Sequence, residues 1–465
     1  MKFFTVRQVL GLAFVTAWAT FGTGLSEGNG TETETGGRPN IILLLTDDQR
    51  WDALGAAGNP VIKTPNLDRL ASQGVFFENA FVTTSICATS RASIITGQYA
   101  RRHNVWDFQT ALSSSQLAES YLGILKAAGY RLGFIGKWGI GSPPTALFDY
   151  NRAFGGQGQY FVETDGETRH LTSLMGDQAV EFLDTVDPDT PFCLSVSFKA
   201  PHVQDSYDLS KPPFPFDLGL QHLYEDILIE PPVSSTASHF ARLPDFLKNS
   251  ENRMRWAVRF WGPQRYQESV KGYFRLITGV DNAVGRILKE LEKQDLSRNT
   301  VVIFTSDNGF FLGEHGLAGK WLPYEASIRV PLIVFDPRSP GPVSGRREQM
   351  VLNVDVAPTI VDIAGLQIPR GMQGQSLLPI IESPAISGRG DFFYEHLFKH
   401  PRIPPVEALR TAEWKYVRYL DPDREELYDL ESDPFETANR ISEPQYQDEL
   451  RSLRSRFEAL RQGLK

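Results

Sequence analysis

The chain has little cysteine, little histidine and fewer positive than negative charges. Its 465 residues include eight histidines and two cysteines, Cys87 and Cys193, so disulfides do not frame the fold. An exported protein could pair the two cysteines, but Cys193 lies in an apolar run that reads as a buried strand. The chain has 47 Lys and Arg residues and 56 Asp and Glu residues, which gives a formal net charge of −9. Because such a surface repels polyanions, we expect no nucleic-acid partner.

Long apolar runs are also missing beyond the first residues. No segment after Phe21 has the roughly 18 consecutive apolar residues of a membrane span, so we expect none. The N-terminus places two basic residues before an apolar run from Val9 to Phe21, which is typical of a secretory signal peptide over residues 1–25. The polar residues 26–38 predict a disordered linker. The mature protein is therefore expected in the periplasm or outside the cell.

Short apolar runs alternate with amphipathic stretches, a pattern that predicts an α/β fold with a large, mostly parallel sheet flanked by helices. The candidate strands are residues 40–46, 131–135, 192–198, 301–305 and 331–335. Apolar residues at helical spacing predict helices over 113–128 and 269–291. The proline-rich, aromatic segment 205–263 predicts an irregular insertion over the sheet.

The composition changes near Ser376. Beyond it come short strand-like pieces at 391–396 and 414–419, acidic turns, and a helical pattern from Gln447 onward. We therefore expect a catalytic domain over 39–375 and a smaller C-terminal α+β subdomain over 376–465, with an antiparallel sheet.

Four of the apolar runs end in residues that carry chemistry. The side chains that follow them are Asp47 and Asp48, Lys137, His202, and Asp307 with Asn308. Any one of these ends could be an ordinary turn or helix cap. Because ligands bind beyond the carboxyl ends of strands in open α/β sheets, four such ends together predict a functional site.

Three of these end residues are carboxylates and one is an amide. Oxygen ligands without thiolate favour Ca²⁺ or Mg²⁺ over zinc. Carboxylates about 4 Å apart repel by roughly 4 kcal/mol per pair at an effective dielectric near 20, so one divalent ion is expected among them. The candidate metal ligands are Asp47, Asp48, Asp307 and Asn308.

Cationic side chains form the second candidate group. A lone Lys or Arg is more often a solvated surface charge, but several around one divalent ion and Cys87 would make a pocket for a tetrahedral anion. The candidates are Arg91, Lys137, His202 and Lys320.

Residues 87–97 read Cys-Ala-Thr-Ser-Arg-Ala-Ser-Ile-Ile-Thr-Gly. The alternative to a functional motif is a free cysteine that packs as a small apolar residue. The stretch resembles the signature of the formylglycine-dependent sulfatases, and other segments resemble that family in the same order. These segments are 39–48, 64–71, 136–138, 200–202, 305–309, 313–333, 409–416 and 426–434.

The resemblance implies an alkaline-phosphatase-like sheet with a smaller C-terminal domain. It also implies that a formylglycine-generating enzyme oxidises Cys87 to an aldehyde, whose hydrate attacks the sulfur of a sulfate ester. By the same resemblance the four metal ligands hold one Ca²⁺ ion and Arg91 steadies the nucleophile. Lys137, His202 and Lys320 then contact the sulfate.

Two positions depart from the family pattern. Residues 136–141 read Gly-Lys-Trp-Gly-Ile-Gly, so Gly139 stands where the family commonly has a histidine near the nucleophile. His315 is a candidate to serve in its place. Thr89 replaces the usual Pro or Ala of the modification signature.

We therefore expect a sulfuric ester hydrolase that acts on a sulfated carbohydrate. The alternatives are a phosphonate monoester or phosphodiester hydrolase of the same superfamily, and a non-catalytic protein that binds sulfated glycans. The aromatic segment 212–261 could stack on sugar rings. His396, Glu407 and Arg410 are weaker candidates for sugar contacts, each with a structural role as its alternative.

Overall fold

A computed structural model describes residues 37–164, 166–338 and 343–464 of the chain. The predicted signal peptide and all but the end of the predicted linker lie outside these residues. Residues from Arg38 onward belong to one compact unit. Within the described ranges, no helix is both long and apolar enough to cross a bilayer. The domain boundary near residue 376 stays a prediction.

The strands fall into one large sheet and three smaller ones. In chain order they are β1 Asn40–Asp47, β2 Val75–Phe81, β3 Arg131–Lys137, β4 Tyr150–Phe154, β5 Phe161–Thr164, β6 Glu167–His170, β7 Phe192–Pro201, β8 Thr300–Ser306, β9 Phe311–Leu312, β10 Ala318–Gly319, β11 Arg329–Phe335, β12 Gly345–Arg347, β13 Val351–Leu352, β14 Asp391–His396, β15 Val406–Thr411, β16 Trp414–Leu420 and β17 Asp423–Asp429.

The helices alternate with these strands through most of the chain. They are α1 Pro65–Gln73, α2 Cys87–Thr96, α3 Ala100–His103, α4 Ser114–Glu119, α5 Tyr121–Ala127, α6 Leu171–Asp184, α7 Ala237–Arg242, α8 Asp245–Lys248, α9 Glu251–Arg259, α10 Pro263–Lys293, α11 Glu325–Ile328, α12 Val356–Ile363, α13 Leu378–Glu382 and α14 Gln447–Gly463.

The large sheet has the strand order β12-β2-β11-β8-β1-β7-β3-β4, and β13 also pairs with β2. Strand β1 is parallel to β7 and β8, and β3 is parallel to β7 and β4. Strand β11 runs antiparallel to both of its neighbours, β8 and β2. The prediction of a mostly parallel sheet flanked by helices is confirmed.

Both faces of β1 are buried, which explains its unbroken apolar sequence. Ile41, Leu43 and Leu45 belong to one apolar cluster with residues of α2, α5, α12 and the C-terminal strands. Ile42 and Leu44 belong to the other cluster, with residues of α1, α6 and α10. The central strands therefore sit between two layers, and their carboxyl ends are held in fixed positions.

The predicted helix over 113–128 is wrong in one respect, because it is two helices. Ser113 caps α4 in a capping box with Gln116, and Ser120 caps α5 by accepting from the Gly123 N–H at 3.4 Å. Gly123 packs so closely that a Cβ there would lie 2.3 Å from the Leu117 carbonyl oxygen. Ser120 thus interrupts a stretch whose apolar spacing is continuous.

The segment 205–263 is only partly irregular, since it contains α7, α8 and α9. Thr236 and Ser250 cap α7 and α9 through their side chains. The predicted helix over 269–291 is α10, which begins earlier because Pro263 occupies its first turn after Gly262 at a φ of 83°.

The C-terminal part contains the expected antiparallel sheet, in the order β14-β15-β16-β17. The predicted strands 391–396 and 414–419 correspond to β14 and β16, while β15 and β17 were not among the predictions. Helix α14 covers this sheet with Leu450, Leu453 and Phe457, which are all buried.

Gly136 offers a test of how the strand ends are positioned. Both Gly136 and Gly129 have a left-handed φ, 99° and 88° respectively. A Cβ at Gly136 would lie 2.2 Å from the Ser197 carbonyl oxygen, whereas one at Gly129 meets nothing within 4 Å. We expect Gly136→Ala to lower the free energy of unfolding by about 2 kcal/mol more than Gly129→Ala in urea titrations. Equal losses in the two variants would show that β3 is not packed tightly against β7.

Candidate active site

The four strand ends named by the sequence meet at one edge of the sheet. Strands β8, β1, β7 and β3 are consecutive neighbours, so Asp307, Asp47, His202 and Lys137 follow or end adjacent strands. His202 comes directly after β7, which contains a cis Ala200–Pro201 bond. Cys87 is the first residue of α2, beside this edge. The juxtaposition expected from the sequence is present.

Cys87 is fully buried between the Asp47 carboxylate and the Lys320 ammonium group. Its Sγ donates to Asp47 Oδ1 at 3.2 Å and accepts from Lys320 Nζ at 2.6 Å. Burial and the nearby Asp47 carboxylate raise the pKa of the Cys87 thiol to about 12. The unmodified side chain is therefore a neutral thiol at pH 7, and a weak nucleophile.

Arg91 lies one helical turn beyond Cys87, on the same face of α2. Its Nε donates to Asp307 Oδ2 at 2.8 Å and its Nη1 donates to the Lys137 carbonyl oxygen at 2.7 Å. Nη1 also donates to the Ser197 hydroxyl. One guanidinium thus joins α2 to the ends of β8, β3 and β7.

The Asp47 carboxylate faces several cations. It forms an ion pair with Lys137 Nζ, and Lys320 Nζ lies 3.8 Å from its Oδ1. Arg91 Nη2 lies 3.5 Å from its other oxygen. Burial raises the pKa of Asp47, but Lys137, His202, Arg91 and Lys320 together hold it well below its usual value. Asp47 is therefore ionised.

Asp48 has a left-handed backbone, with a φ of 69°. Its N–H donates to Asp307 Oδ1 at 3.1 Å, and the Tyr273 hydroxyl donates to its carbonyl oxygen at 2.7 Å. Its carboxylate pairs with Lys320 and accepts from Asn308 Nδ2 at 2.5 Å. These contacts turn the chain so that both consecutive carboxylates reach the cluster.

The donor set fits a divalent cation. Ligand atoms of Asp47, Asp48, Cys87 and His202 lie within 4.8 Å of one another. Asp48 Oδ2 and Asn308 Oδ1 are buried and have no hydrogen-bond partner among the described residues. Burial and then Asp47 raise the pKa of Asp307 to about 6, as expected for crowded carboxylates. Asp48 and Asn308 are two of the predicted metal ligands, and coordination of an ion would satisfy these orphan oxygens.

His202 faces the cluster and His315 does not. The His202 Nε2 lies 3.6 Å from Asp48 Oδ2, while its Nδ1 lies 2.6 Å from the Val203 carbonyl oxygen. His315 packs against Tyr324 with ring centroids 4.9 Å apart and the rings tilted by 38°. It lines a separate cavity of about 560 Å³ to which Cys87 does not contribute. A catalytic role for His315 stays a prediction without a described contact to the cluster.

The two departures from the family pattern have different surroundings. Gly139 has a φ of 78°, and a Cβ there would lie 2.9 Å from Arg91 Cδ. Arg91 therefore fills the space that a side chain would need. Thr89 is buried on α2, and its hydroxyl has no hydrogen-bond partner among the described residues.

The three weaker sugar-contact candidates are buried in the C-terminal sheet. Glu407 pairs with Arg101 and with Arg461, the latter at 3.0 Å. Arg410 pairs with Glu325 at 3.3 Å, and His396 is fully buried. The first two have structural partners in place.

Sequence reasoning missed several residues that position the site. Tyr273 holds the Asp48 backbone, Ser197 bonds Arg91, and Gln157 accepts from Lys137 Nζ at 2.7 Å. Tyr273 was placed on an amphipathic helix, but its apolar spacing gives no sign of a hydroxyl contact. No sequence pattern distinguishes the other two.

The fold and the site define a hydrolase of the alkaline phosphatase superfamily. A family model described as sulfatase matches residues 39–366, and one described as N-sulphoglucosamine sulphohydrolase, C-terminal, matches residues 313–463. The chain belongs to the sulfatase family and is a sulfuric ester hydrolase.

Similar proteins agree with this assignment. An N-acetylglucosamine-6-O-sulfatase of Bacteroides thetaiotaomicron is 29% identical over 487 residues, covering 90% of this chain and 85% of the relative. An arylsulfatase of Clostridium perfringens is 28% identical over 479 residues, covering 90% of this chain and 93% of the relative.

Solved structures share the architecture. A protein in complex with its substrate D-glucosamine-2-N,6-O-disulfate has a TM-score of 0.76 and 26% identity, covering 92% of this chain and 98% of the other. The phosphonate monoester hydrolase of Agrobacterium radiobacter has a TM-score of 0.74 and 22% identity, covering 92% and 96%. The second likeness shows the fold alone.

The placement of the two histidines predicts different effects on sulfatase activity. We expect His202→Gln to lower kcat by about 100-fold or more, because the ring faces the reacting groups. His315→Gln should change kcat little, since its described contacts lie in the other cavity. Steady-state rates with 4-nitrophenyl sulfate measure both variants. The reverse order of effects would make His315 the catalytic group.

Proposed function

We propose that this sulfatase is exported and removes sulfate from a sulfated carbohydrate by way of a formylglycine made from Cys87. The observation that carries the proposal is the position of Cys87, buried between Asp47 and Lys320 beside Arg91 and Lys137. One similar protein is an N-acetylglucosamine-6-O-sulfatase, and a similar solved structure holds D-glucosamine-2-N,6-O-disulfate as its substrate, which supports a carbohydrate substrate.

The surroundings of Cys87 support its conversion to formylglycine. A thiol with a pKa near 12 contributes little thiolate at pH 7. The aldehyde hydrate supplies two hydroxyls on one carbon, so that one can attack sulfur and the other can expel the sulfate afterwards. Conversion requires a formylglycine-generating enzyme that accepts Thr89.

Asp47, Asp48, Asp307 and Asn308 would hold one Ca²⁺ ion. The ion would polarise the sulfate oxygens and lower the pKa of the hydrate hydroxyls. The orphan oxygens of Asp48 and Asn308 support this assignment. The four proposed ligands offer only carboxylate and amide oxygens, which favour a hard cation.

The cations of the chain bind and orient the sulfate group. Lys137 and Lys320 are buried and both contact carboxylates next to Cys87, so their ammonium groups face the position of the nucleophile. Burial lowers the pKa of Lys320, but Asp48 and Cys87 raise it well above its usual value. Lys320 is therefore a charged donor that can bond the bridging oxygen as the alcohol leaves.

His202 is proposed to accept the proton that the second hydroxyl of the aldehyde hydrate loses as it expels the sulfate. Burial lowers the pKa of His202 to about 4, so the ring is neutral at pH 7. Its Nδ1 bonds a backbone carbonyl, which puts the proton on Nδ1 and leaves Nε2 free to accept one. A bound sulfate dianion would raise this pKa by attraction. His202 can thus take the proton that a histidine at the position of Gly139 would otherwise accept.

Exposed aromatic rings in the segment 205–263 suit a sugar. Tyr207 is 60% exposed and Trp261 is 65% exposed, both in the segment 205–263. Trp261 packs edge-on to Trp256 at 5.6 Å, which holds its ring on the surface. Flat apolar faces of this kind bind the apolar faces of sugar rings.

The choice between sulfate and phosphodiester is tested by turnover. We expect kcat/KM for 4-nitrophenyl sulfate to exceed that for bis(4-nitrophenyl) phosphate by about 100-fold or more, a difference of about 2.7 kcal/mol in transition-state stabilisation. The protein is purified from a host that contains the modifying enzyme. A preference for the phosphodiester would replace the proposed function by the phosphonate and phosphodiester hydrolase alternative.

Mass spectrometry of the peptide that contains Cys87 provides the control for this experiment. The expected product has the thiol replaced by an aldehyde or its hydrate, and Cys87→Ala should abolish turnover. An intact thiol in all molecules of an inactive preparation would support the binding-protein alternative.

Metal removal gives an independent prediction. Calcium at about 100 times its dissociation constant should stabilise the fold by about 2.7 kcal/mol, because the unfolded chain has no preformed site. The measurement is the thermal unfolding midpoint with excess Ca²⁺ and with EDTA. Asn308→Leu should lose most of the shift, because it removes an oxygen ligand. An unchanged midpoint in EDTA would contradict a structural calcium site.

A further inference from the structure

A small pocket lies beside the active site and takes no part in the chemistry described above. Its volume is about 120 Å³, and it is formed by the chain that follows His202 and by helix α9. Its lining residues are Asp205, Ser206, Tyr207, Arg255, Val258 and Arg259.

The pocket carries an excess of positive charge. Asp205 Oδ1 accepts from Arg255 Nη1 at 3.0 Å and from Arg259 Nη2 at 2.9 Å. Arg255 also donates to Glu251 Oε1 at 2.9 Å, and Arg402 donates to Glu251 Oε2 at 2.8 Å. Three guanidinium groups therefore share two carboxylates, and one positive charge is left uncompensated.

Arg259 lines this pocket and has an unused donor. The residue is 4% exposed, and its Nη1 has no hydrogen-bond partner among the described residues. Burial lowers the pKa of Arg259 to about 10, so the side chain is still charged at pH 7. Leaving a buried charged donor unpaired is costly, and an anion in the pocket would remove that cost.

Charged groups of the pocket interact electrostatically with groups of the catalytic cluster. Asp205 follows His202 by three residues. Burial raises the pKa of Asp205, but His202 and then Arg255 bring it down to about 2. Lys199 has a buried Nζ without a hydrogen-bond partner in the described part of the chain. Burial lowers the pKa of Lys199 to about 8, while Asp47 of the cluster and Asp205 of the pocket both act to raise it. Charges of the cluster and of the pocket therefore act on the same cation.

We propose that Arg259 and Arg255 form a subsite for a second anionic group on the carbohydrate whose sulfate ester lies at Cys87. This inference rests on the proposed function and narrows the substrate class to sugars with at least two anionic groups. A guanidinium fork suits the paired oxygens of a sulfate or a carboxylate. Tyr207 at the edge of the pocket offers a ring face to the sugar between the two groups.

The test compares two sugars that differ in one anionic group. The substrates are N-acetylglucosamine 6-sulfate and glucosamine 2-N,6-O-disulfate, and the variants are Arg259→Gln, Arg259→Lys and Arg275→Gln. Arg275 is a matched control, because it is 5% exposed and donates to the Leu223 and Gln221 carbonyl oxygens away from the pocket. A third sugar, in which glucuronic acid is joined to the monosulfate, tests a carboxylate as the second group.

The expected result is a preference that depends on Arg259. Wild-type kcat/KM for at least one doubly anionic sugar should exceed that for the monosulfate by about tenfold or more, as one charge-assisted hydrogen bond permits. Arg259→Gln should bring this ratio close to one, mainly through KM. Arg259→Lys should keep part of the ratio, and Arg275→Gln should keep all of it.

The contrary outcomes separate the two claims. If the wild type hydrolyses the sugars and Arg259→Gln leaves their ratio unchanged, the subsite is wrong and the proposed function stands. If only 4-nitrophenyl sulfate is hydrolysed, the carbohydrate assignment is wrong. Calorimetric titration with the disulfate then decides, since binding that weakens in Arg259→Gln supports the subsite and an absence of binding overturns it.

Discussion

Arg91 is the side chain on which the rest of the site depends. It is almost fully buried, and it neutralises carboxylates that would otherwise repel one another at the carboxyl edge of the sheet. Breaking a buried ion pair of this kind costs about 3–5 kcal/mol, because a bare charge stays behind. Since Arg91 also bonds the Lys137 backbone and Ser197, the same group fixes the distance between α2 and three strands. Cys87 takes its place in the cluster because it lies on the same helix face.

A second link ties the site to the helix layer on the other side of the sheet. Tyr273 of α10 is fully buried, and its hydroxyl accepts from the Arg50 N–H at 3.0 Å and donates to the Asp48 carbonyl oxygen. Its ring stacks on Phe310 with centroids 5.9 Å apart. The strained backbone at Asp48 is therefore supported by apolar packing, which lets two successive carboxylates face one cluster.

The sequence predicted the strand ends well because each carries its own signal. An apolar run that stops at Asp47, Lys137, His202 or Asp307 is visible locally, and the parallel order of the sheet brings such ends together. The break at Ser120 was missed because a single cap competes with continuous apolar spacing. Contacts such as Arg259 with Asp205 join residues 54 positions apart, and no local pattern encodes them. Helix α9 was predicted as irregular chain because its buried residues, Glu251, Asn252 and Arg259, are polar, so no apolar spacing marks its inner face.

Gly139 changes the surroundings of Arg91 in this chain. Arg91 Cδ lies 2.9 Å from the position that a Cβ at residue 139 would take, so a side chain there would require Arg91 to shift. The φ of 78° also disfavours any residue with a Cβ. Position 139 therefore offers no base, and the reaction needs another group. The role proposed for His202 meets this need, because its Nε2 lies 3.6 Å from Asp48 Oδ2, at the cluster itself.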